Sequence, residues 1–541
     1  MIKREIKNYQ NKLQSAISSR NIDETKSVIQ NIIIQSTRGV DMSPLFADVI
    51  MACETDDIEL KKMVYMYLCT YSEKYPELSI LCVNTFYKDC RDSNPIVRGL
   101  AIRCMSNFEV DTVREHLYDE IDRLMDDNNT YVRRCSLMAL GKVFKDKVIT
   151  TRPKTDFIPK VVRLTLDNDP SISLDALIIL KEINDGKVTM TKKNIEHILG
   201  MIKRLQPIEV AEAAMLLRNC EIMEYSDVEH IMNAFDEFID SLDPASVMET
   251  IELFLYISEK FIKQETYTND ILQRATDGYT GLYNYYSTVN AQIVSVILNG
   301  ILSITQKYNQ FFKNSSIIIP TYNDPEEIVM LKMKILQINT TTERLLKLMK
   351  HFKTLILDTT IQKYIVDGLV QLGYQSRENA DIVISSFVEL LNKPLRRCVE
   401  IKLFSGIARL IEYYNDITSD EIKYISYLFD DAESIFECDE EDITHVFYIC
   451  GEYEECFNLD IFIQAIEHWK TLTLQNKQSL LTASVKGFIN NKERCSTILK
   501  EITKKCLEDE EIDLKIRSRY YLNLIDTNLM KLKEIVFLHH Y

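Results

Sequence analysis

The chain has 541 residues, 46% of them hydrophobic, with 81 acidic against 64 basic side chains and a formal net charge of -17. That length exceeds a single ordinary core and requires several domains or one long array. The acidic balance argues against non-specific nucleic-acid binding, which depends on neutralising phosphates, while leaving room for local basic patches. No run approaches eighteen apolar residues and the charged start leads into no apolar segment, so neither a membrane span nor a signal peptide is expected. Glycine (13) and proline (11) are scarce and helix formers dominate, which predicts an all-α fold.

The first 38 residues suggest one or two amphipathic helices. Lys3, Arg4, Lys7, Lys12, Arg20, Lys26 and Arg38 face only Glu5, Asp23 and Glu24. This is either an ordinary solvated face or a surface leaning toward anionic lipid, with Lys3, Arg4, Lys7 and Lys12 as the membrane-facing candidates. Gly39 suits the residue just past a helix end. Ser43 and Pro44 open the next helix, through about Cys53. Met63, Val64, Met66, Tyr67, Leu68 and Tyr71 make the following helix apolar nearly all round, so it should be buried on most sides. Pro76 then opens a helix carrying Leu78, Ile80, Leu81, Val83 and Phe86. Asn94 as cap and Pro95 as first residue open a third helix, with Ile96, Val97, Leu100 and Ile102.

That opening returns. Asn94-Pro95-Ile96-Val97-Arg98 is echoed by Asn128-Asn129-Thr130-Tyr131-Val132-Arg133 and more weakly by Asp169-Pro170-Ser171-Ile172-Ser173. The spacing, roughly 35 to 40 residues, falls in the range of helical solenoids. It predicts an α-solenoid of HEAT/armadillo-like helical hairpins, with a generic helical bundle as the plain alternative.

Residues 111–146 read as a further pair, with Tyr131 to Phe144 inside. Thr150 to Pro159 reads as a loop, and the pattern resumes over 160–184. The period is harder to follow over 187–318. There Glu209 to Leu217 is strongly helical, while Thr266 to Asn284 is polar and Tyr-rich, a candidate long turn. Asp324-Pro325 reopens a clear repeat through Leu336, and Leu345 to Ile356 marks another helix. Glu437 to Asp442 is an acidic loop run, read as solvated rather than as a metal site. Ile443 to Tyr453 is a buried helix, and the last helices span about 476 to 536. Pro44, Pro95, Pro170, Pro244 and Pro325 all fall at helix starts.

Catalytic patterns are missing. Gly278 and Gly281 lack the Lys-Ser/Thr of a phosphate loop, and no Gly-x-Ser-x-Gly occurs. His445, Cys450 and Cys456 fit no zinc spacing. His468 and Trp469 read as packing. Cys69, Cys82, Cys90, Cys104, Cys135 and Cys450 lie in apolar helical stretches and read as small buried hydrophobes in a reducing cytosol. A scaffold is expected, without enzymatic activity, cofactor or metal.

The segment from Gly39 to Met105 closely resembles the amino-terminal trunk of β-adaptins, the large β subunits of heterotetrameric adaptor protein complexes. The resemblance rests on Gly39-Val40-Asp41-Met42-Ser43, Glu59-Leu60-Lys61-Lys62-Met63-Val64-Tyr65-Met66-Tyr67-Leu68, Val83-Asn84-Thr85-Phe86-Tyr87-Lys88-Asp89-Cys90 and Asn94 to Arg103, extended by Tyr131-Val132-Arg133-Arg134. It is strongest over 39–145, weak over 186–318 and moderate over 320–526, returning at Tyr322-Asn323-Asp324-Pro325, Gly451-Glu452-Tyr453 and Arg517-Ser518-Arg519-Tyr520-Tyr521.

The resemblance implies one adaptin-type trunk over 1–541, without hinge or ear. Its partners would be a second large adaptin, a medium and a small subunit, sorting-signal cargo and an Arf-type GTPase. It would work in the cytoplasm, peripheral on Golgi, endosomal or coated-vesicle membranes. The GTPase contact would fall on Ile80 and Val83, three apart on one helix face, unless both are core. Arg20 to Lys26 lacks the Lys-rich stretch of many β-adaptins, which weakens a phosphoinositide role. Asp57 to Lys62 looks like the clathrin-linked β chains. Gly39 to Ser43, Cys69-Thr70-Tyr71 and Val97 to Ala101 look like the β chain of the fourth, clathrin-independent complex. Clathrin recruitment by this chain alone is not expected, because Leu522-Asn523-Leu524-Ile525-Asp526 departs from the clathrin box and falls in a helical period. A coatomer large subunit and an importin-like receptor are the alternative solenoids.

Overall fold

The computed structural model describes residues 2–108, 111–145, 154–184, 186, 190–220, 225–263, 265–309, 311–312, 316–357, 361–393, 395–414, 436, 440–453 and 457–537. For residues 2–5, 111–116, 145, 154, 225–226, 397–398 and 440–441 it describes the backbone alone. Helices account for the regular structure, and no strand occurs among the described residues. The chain forms two compact units, Met1–Gly278 and Tyr279–Tyr541, the division falling within the Glu265–Tyr286 helix.

In the first unit the second helices of successive hairpins stack in chain order. Ile22–Thr37, Ile58–Tyr71, Pro95–Met105, Thr130–Lys145, Pro170–Ile183, Pro207–Arg218 and Pro244–Ile257 each pack on the next. The first helices, among them Ile2–Ser18, Val83–Asp89, Asp111–Leu124 and Lys192–Met201, form the other layer. In the second unit Ala291–Lys307, Glu326–Asn339, Gln362–Gly373, Arg397–Tyr414, Glu440–Glu452 and Leu474–Asn490 stack in the same way. Each repeat touches chiefly its neighbours, as a solenoid requires.

The recurring opening has a local cause. Asp92, Asp127 and Asp167 each accept the backbone N–H two residues on, at 2.7, 2.9 and 2.9 Å, which turns the chain into the helix. Asn94, Asn129 and Asp169 then cap it, accepting from Ile96, Tyr131 and Ser171 at 2.9, 3.0 and 3.0 Å. The helices bury one stripe, so Val97, Ile102 and Met105 are enclosed, the last two within a continuous core running from Leu13 to Leu180.

Five expectations change. The polar stretch Thr266 to Asn284 is helix rather than turn, because Ile271, Ala275, Tyr279 and Leu282 recur at helical spacing and are buried. In the loop read over Thr150 to Pro159, residues 150–153 lie outside the described residues. The rest is a helical turn, Lys154–Phe157, leading into Ile158–Leu164, with Phe157 in the core. The helix read from Pro76 to Phe86 is interrupted, with Pro76–Ser79 and Val83–Asp89 joined by a 3-10 turn over Ile80–Cys82. Pro325 is the cap of Glu326–Asn339 rather than its first residue, since Asp324 is occupied elsewhere. Cys69 is only partly buried, unlike the other described cysteines, because it sits at the rim of the Ile58–Tyr71 helix.

Candidate functional site

The two motif pieces that carry the resemblance most specifically meet in space. Lys61, on the Ile58–Tyr71 helix, places its ammonium 2.6 Å from Asp89 Oδ2 at the end of Val83–Asp89. Tyr65, one turn on from Lys61, donates its hydroxyl to the same carboxylate oxygen. All three residues are buried. Burial pushes the Tyr65 phenol well above its ordinary range, so it stays protonated and serves as donor. A carboxylate removed from water needs such donors, and here two residues of the facing helix supply them.

The later motif pieces do the same work. Asp324 of the Asn323-Asp324-Pro325 piece holds the buried Lys332 ammonium at 2.7 Å, and that ammonium also lies over the Tyr283 ring. Glu452 of Gly451-Glu452-Tyr453 pairs with buried Lys486 of the Leu474–Asn490 helix. Asp442, at the end of the acidic run, is not solvated. It lies in the Glu440–Glu452 helix, buried, 3.0 Å from Lys402. Residues 437–439 of that run lie outside the described residues, as do the side chains of Glu440 and Glu441. Sequence reasoning missed these lysines, because Lys in a helix ordinarily signals an exposed face.

The Arg of the recurring opening joins loops. Arg98 forks onto Asp127, Nε and Nη2 each 2.9 Å from a carboxylate oxygen, while Nη1 reaches the Asp92 and Ser93 carbonyls. Arg133 repeats this on Asp167, at 3.0 and 3.0 Å. Ser173 takes the equivalent place in the third echo and donates to the Thr165 carbonyl, so the relay stops there.

The exposed side of the first unit's second-helix layer presents Met66, Ile96, Tyr131, Met138 and Ile208. Arg134 links three of its helices by binding Asp175 at 2.8 Å and Glu209 at 2.7 Å. Burial holds the Asp175 carboxyl above the usual carboxylate range, against the pull of Arg134. Burial and then Asp175 do the same to Glu212. This side therefore offers scattered exposed apolar side chains beside carboxylates held by Arg134.

The structure separates the predicted GTPase pair. Ile80 lies in the 3-10 turn and is 45% exposed, with Leu81 beside it at 63%. Val83 starts the next helix, is 8% exposed and belongs to the core. The two therefore differ in exposure and do not form one exposed face. Lys7 and Lys12 are exposed on the Ile2–Ser18 helix, whereas the side chains of Lys3 and Arg4 lie outside the described residues. Lys26 is drawn into pairs with Asp57 at 3.0 Å and Glu59 at 2.8 Å. Among the described residues no His/Cys/Asp/Glu group could hold a metal ion. Cys456 lies outside them. Trp469 donates to Asp509 at 2.8 Å, and His468 stacks on Phe436. No helix among the described residues is long and apolar enough to cross a membrane.

Comparison with known proteins bears on this arrangement. The family described as the adaptin N-terminal region matches residues 1–529. Human AP-1 complex subunit beta-1 is 24% identical over 539 residues, covering 97% of this chain and 55% of that protein. The AP-4 complex subunit beta of Dictyostelium discoideum is 31% identical over 336 residues, covering 60% of this chain and 38% of that one. The chain thus spans about half the length of the human relative it matches. In fold it resembles a chain from a homology model of the full-length AP-3 complex in an intermediate open conformation. The TM-score is 0.54 at 15% identity, over 96% of this chain and 93% of that one. The family match runs through both helical stacks and takes in Lys61, Asp89, Asp324 and Glu452, and the chain belongs to the adaptin N-terminal-region family.

Proposed function

We propose that this chain is a β-type large subunit of an adaptor protein complex in vesicle-mediated intracellular transport. It would act as a scaffold rather than as an enzyme. The observation that carries the reading is the alignment with human AP-1 complex subunit beta-1 over 97% of this chain. The expected partners are a second large adaptin, a medium and a small subunit, with sorting-signal cargo bound by the assembly. The complex works on the cytoplasmic side of Golgi, endosomal or coated-vesicle membranes, as a peripheral component. Affinity purification of the tagged chain from its own cells tests this. Recovery of one stoichiometric complex with medium and small chains is expected. A monodisperse chain that brings down none of them overturns the reading.

An Arf-type GTPase would contact the Ile80–Leu81 corner, because exposed adjacent apolar side chains on a rigid turn suit such a contact. Ile80→Asp should then abolish GTP-dependent recruitment to vesicles while the complex still assembles. Val83→Asp should prevent assembly, since it buries an unpaired charge. Lys7 and Lys12, with Lys3 and Arg4, would face anionic lipid. Leu522 to Asp526 lies within the Ile512–Thr527 helix, with Leu524 against the core, which supports the reading that this string is not a clathrin box.

A further inference from the structure

In the second unit a cleft of about 180 Å³ opens between three helices, Glu440–Glu452, Leu474–Asn490 and Ile512–Thr527. Gln475, Gln478, Ser479 and Thr482 recur at helical spacing, so one face of the Leu474–Asn490 helix lines it with polar side chains. Tyr448 reaches it from the first helix and Arg517, exposed, from the third. Lys486 also lines it, buried, with its ammonium paired to Glu452 and 5.4 Å from the centre of the Tyr448 ring. Beside the cleft Gly451 and Ala483 leave no room for a Cβ, so two of its walls are in direct contact.

The polar groups of this cleft are unengaged. Thr482 donates its hydroxyl to the Gln478 carbonyl at 2.9 Å. Among the described residues, the side chains of Gln475, Gln478 and Ser479 and the Tyr448 hydroxyl make no hydrogen bond. Arg517 makes no ion pair, even with Asp513 one turn earlier on its helix. Burial, then Glu452, holds the Tyr448 phenol above its ordinary range, so it is a donor at neutral pH. No carboxylate lines the cleft. Glu452 neutralises Lys486, which leaves the Arg517 guanidinium as the uncompensated charge.

These groups select among anions. One guanidinium beside neutral donors matches a single negative charge shared by two oxygens, which is what a carboxylate presents to an arginine fork. A phosphate group, with nearly two charges, calls for a second free cation. The cleft is smaller than the roughly 300 Å³ at which drug-sized ligands are held, so a side chain or a small acid fits its scale. A second cavity in this unit, beside Cys450 and Arg494, holds about 20 Å³ and has room for little more than water.

We propose that this cleft binds a carboxylate, gripped by Arg517 and oriented by Ser479, Gln478 and the Tyr448 hydroxyl. An acidic side chain of a polypeptide and a free small diacid carry the same group, and affinity distinguishes the two sources.

The test titrates the full chain with glutarate and with the blocked peptide acetyl-Gly-Glu-Gly-amide, each followed by ligand-observed NMR. The controls are glutaramide and the corresponding Gln peptide. Each acid that binds should do so at least tenfold more tightly than its amide. Tighter binding of the peptide assigns the site to a polypeptide, and tighter binding of glutarate to a free acid. Arg517→Gln should weaken binding at least tenfold. Arg517→Lys should weaken it less, because it keeps the charge and loses the fork. Ser479→Ala should weaken it severalfold. Circular dichroism melting identifies a variant that has not folded, and the acid-against-amide comparison on the wild type needs no variant. Absence of binding by both acids, equal binding of acid and amide, or full affinity in folded Arg517→Gln would overturn the proposal.

Discussion

Successive hairpins are joined in two ways, at loops and inside the stack, and the two units show them in different proportion among the joints made by Lys61, Arg98, Arg133, Lys402 and Lys486. Around Arg98 and Arg133 in the first unit the joint lies at the loops, where a guanidinium fork reaches the next loop's aspartate and stays partly in contact with water. In the second unit the joints at Lys402–Asp442 and Lys486–Glu452 lie inside the stack, with both partners of each pair nearly sealed. The first unit uses the interior kind as well, at Lys61–Asp89. The difference concerns consequence more than strength. A rim pair that loses one partner can rehydrate the other, whereas an interior pair cannot.

That contrast predicts a graded series of effects. Asp442→Ala takes a carboxylate away from the buried Lys402 ammonium and should cost about 3–5 kcal/mol. Asp89→Ala should behave alike, because Lys61 is left in the same position. Replacing both Lys402 and Asp442 by apolar residues of similar volume should recover most of the loss. Urea unfolding measures all three, and a cost for Asp442→Ala no larger than that of a rim change would remove the distinction drawn here.

The next effect concerns close approach. A Cβ at Gly451 would lie 2.7 Å from the Ala483 Cα, in the backbone of the facing helix. Gly451→Ala should cost up to about 3 kcal/mol, since neither helix can move without disturbing its neighbours. At Gly99 the clash is instead with the ring of Tyr131, which is half-exposed and can swing away. Gly99→Ala should therefore cost less than about 1 kcal/mol. Equal melting shifts for the two variants would contradict this.

His445 adds a pH dependence confined to the second unit. Burial, then Arg409 and Lys402, lower its pKa to about 4. Between about 4 and the ordinary value near 6.5 the unfolded chain binds a proton that the folded chain does not. Stability should thus be complete above about pH 6.5 and fall as the pH drops through that window. The loss is about 2 kcal/mol, reduced by the Glu412 carboxylate 3.9 Å away. Unfolding of the wild type and of His445→Gln at pH 7 and pH 5 measures it, and a variant as acid-sensitive as the wild type would refute the assignment.

The smallest effect belongs to the rim. Arg98→Lys keeps the charge but loses the two-pronged contact with Asp127, and should cost about 1 kcal/mol. The same change at Arg133 should match it, because its geometry is the same. A loss comparable to that of Asp442→Ala would show that the rim carries more of the joint than its hydration suggests.

Much of this architecture is legible in residue order. Asn94, Asn129 and Asp169 announce their helices through bonds to N–H groups two residues away. The apolar period marks the buried stripe within each helix. The relay arginine falls at the fourth residue after its cap in both full echoes. The same local reading failed over Thr266 to Asn284, where four buried side chains are hidden among polar ones, and at Ile80, where a 3-10 turn breaks a pattern that looked continuous.

What residue order left open are the meetings between helices. Lys61 finds Asp89 28 residues on, Lys402 finds Asp442 40 on, and Lys486 reaches back 34 residues to Glu452. Nothing near any of these lysines marks it as buried. Caps and helical periods are interactions within a few neighbouring residues, so they leave a signature along the chain. A buried charge is tolerable only where another repeat brings the opposite charge against it, and stacking alone decides that.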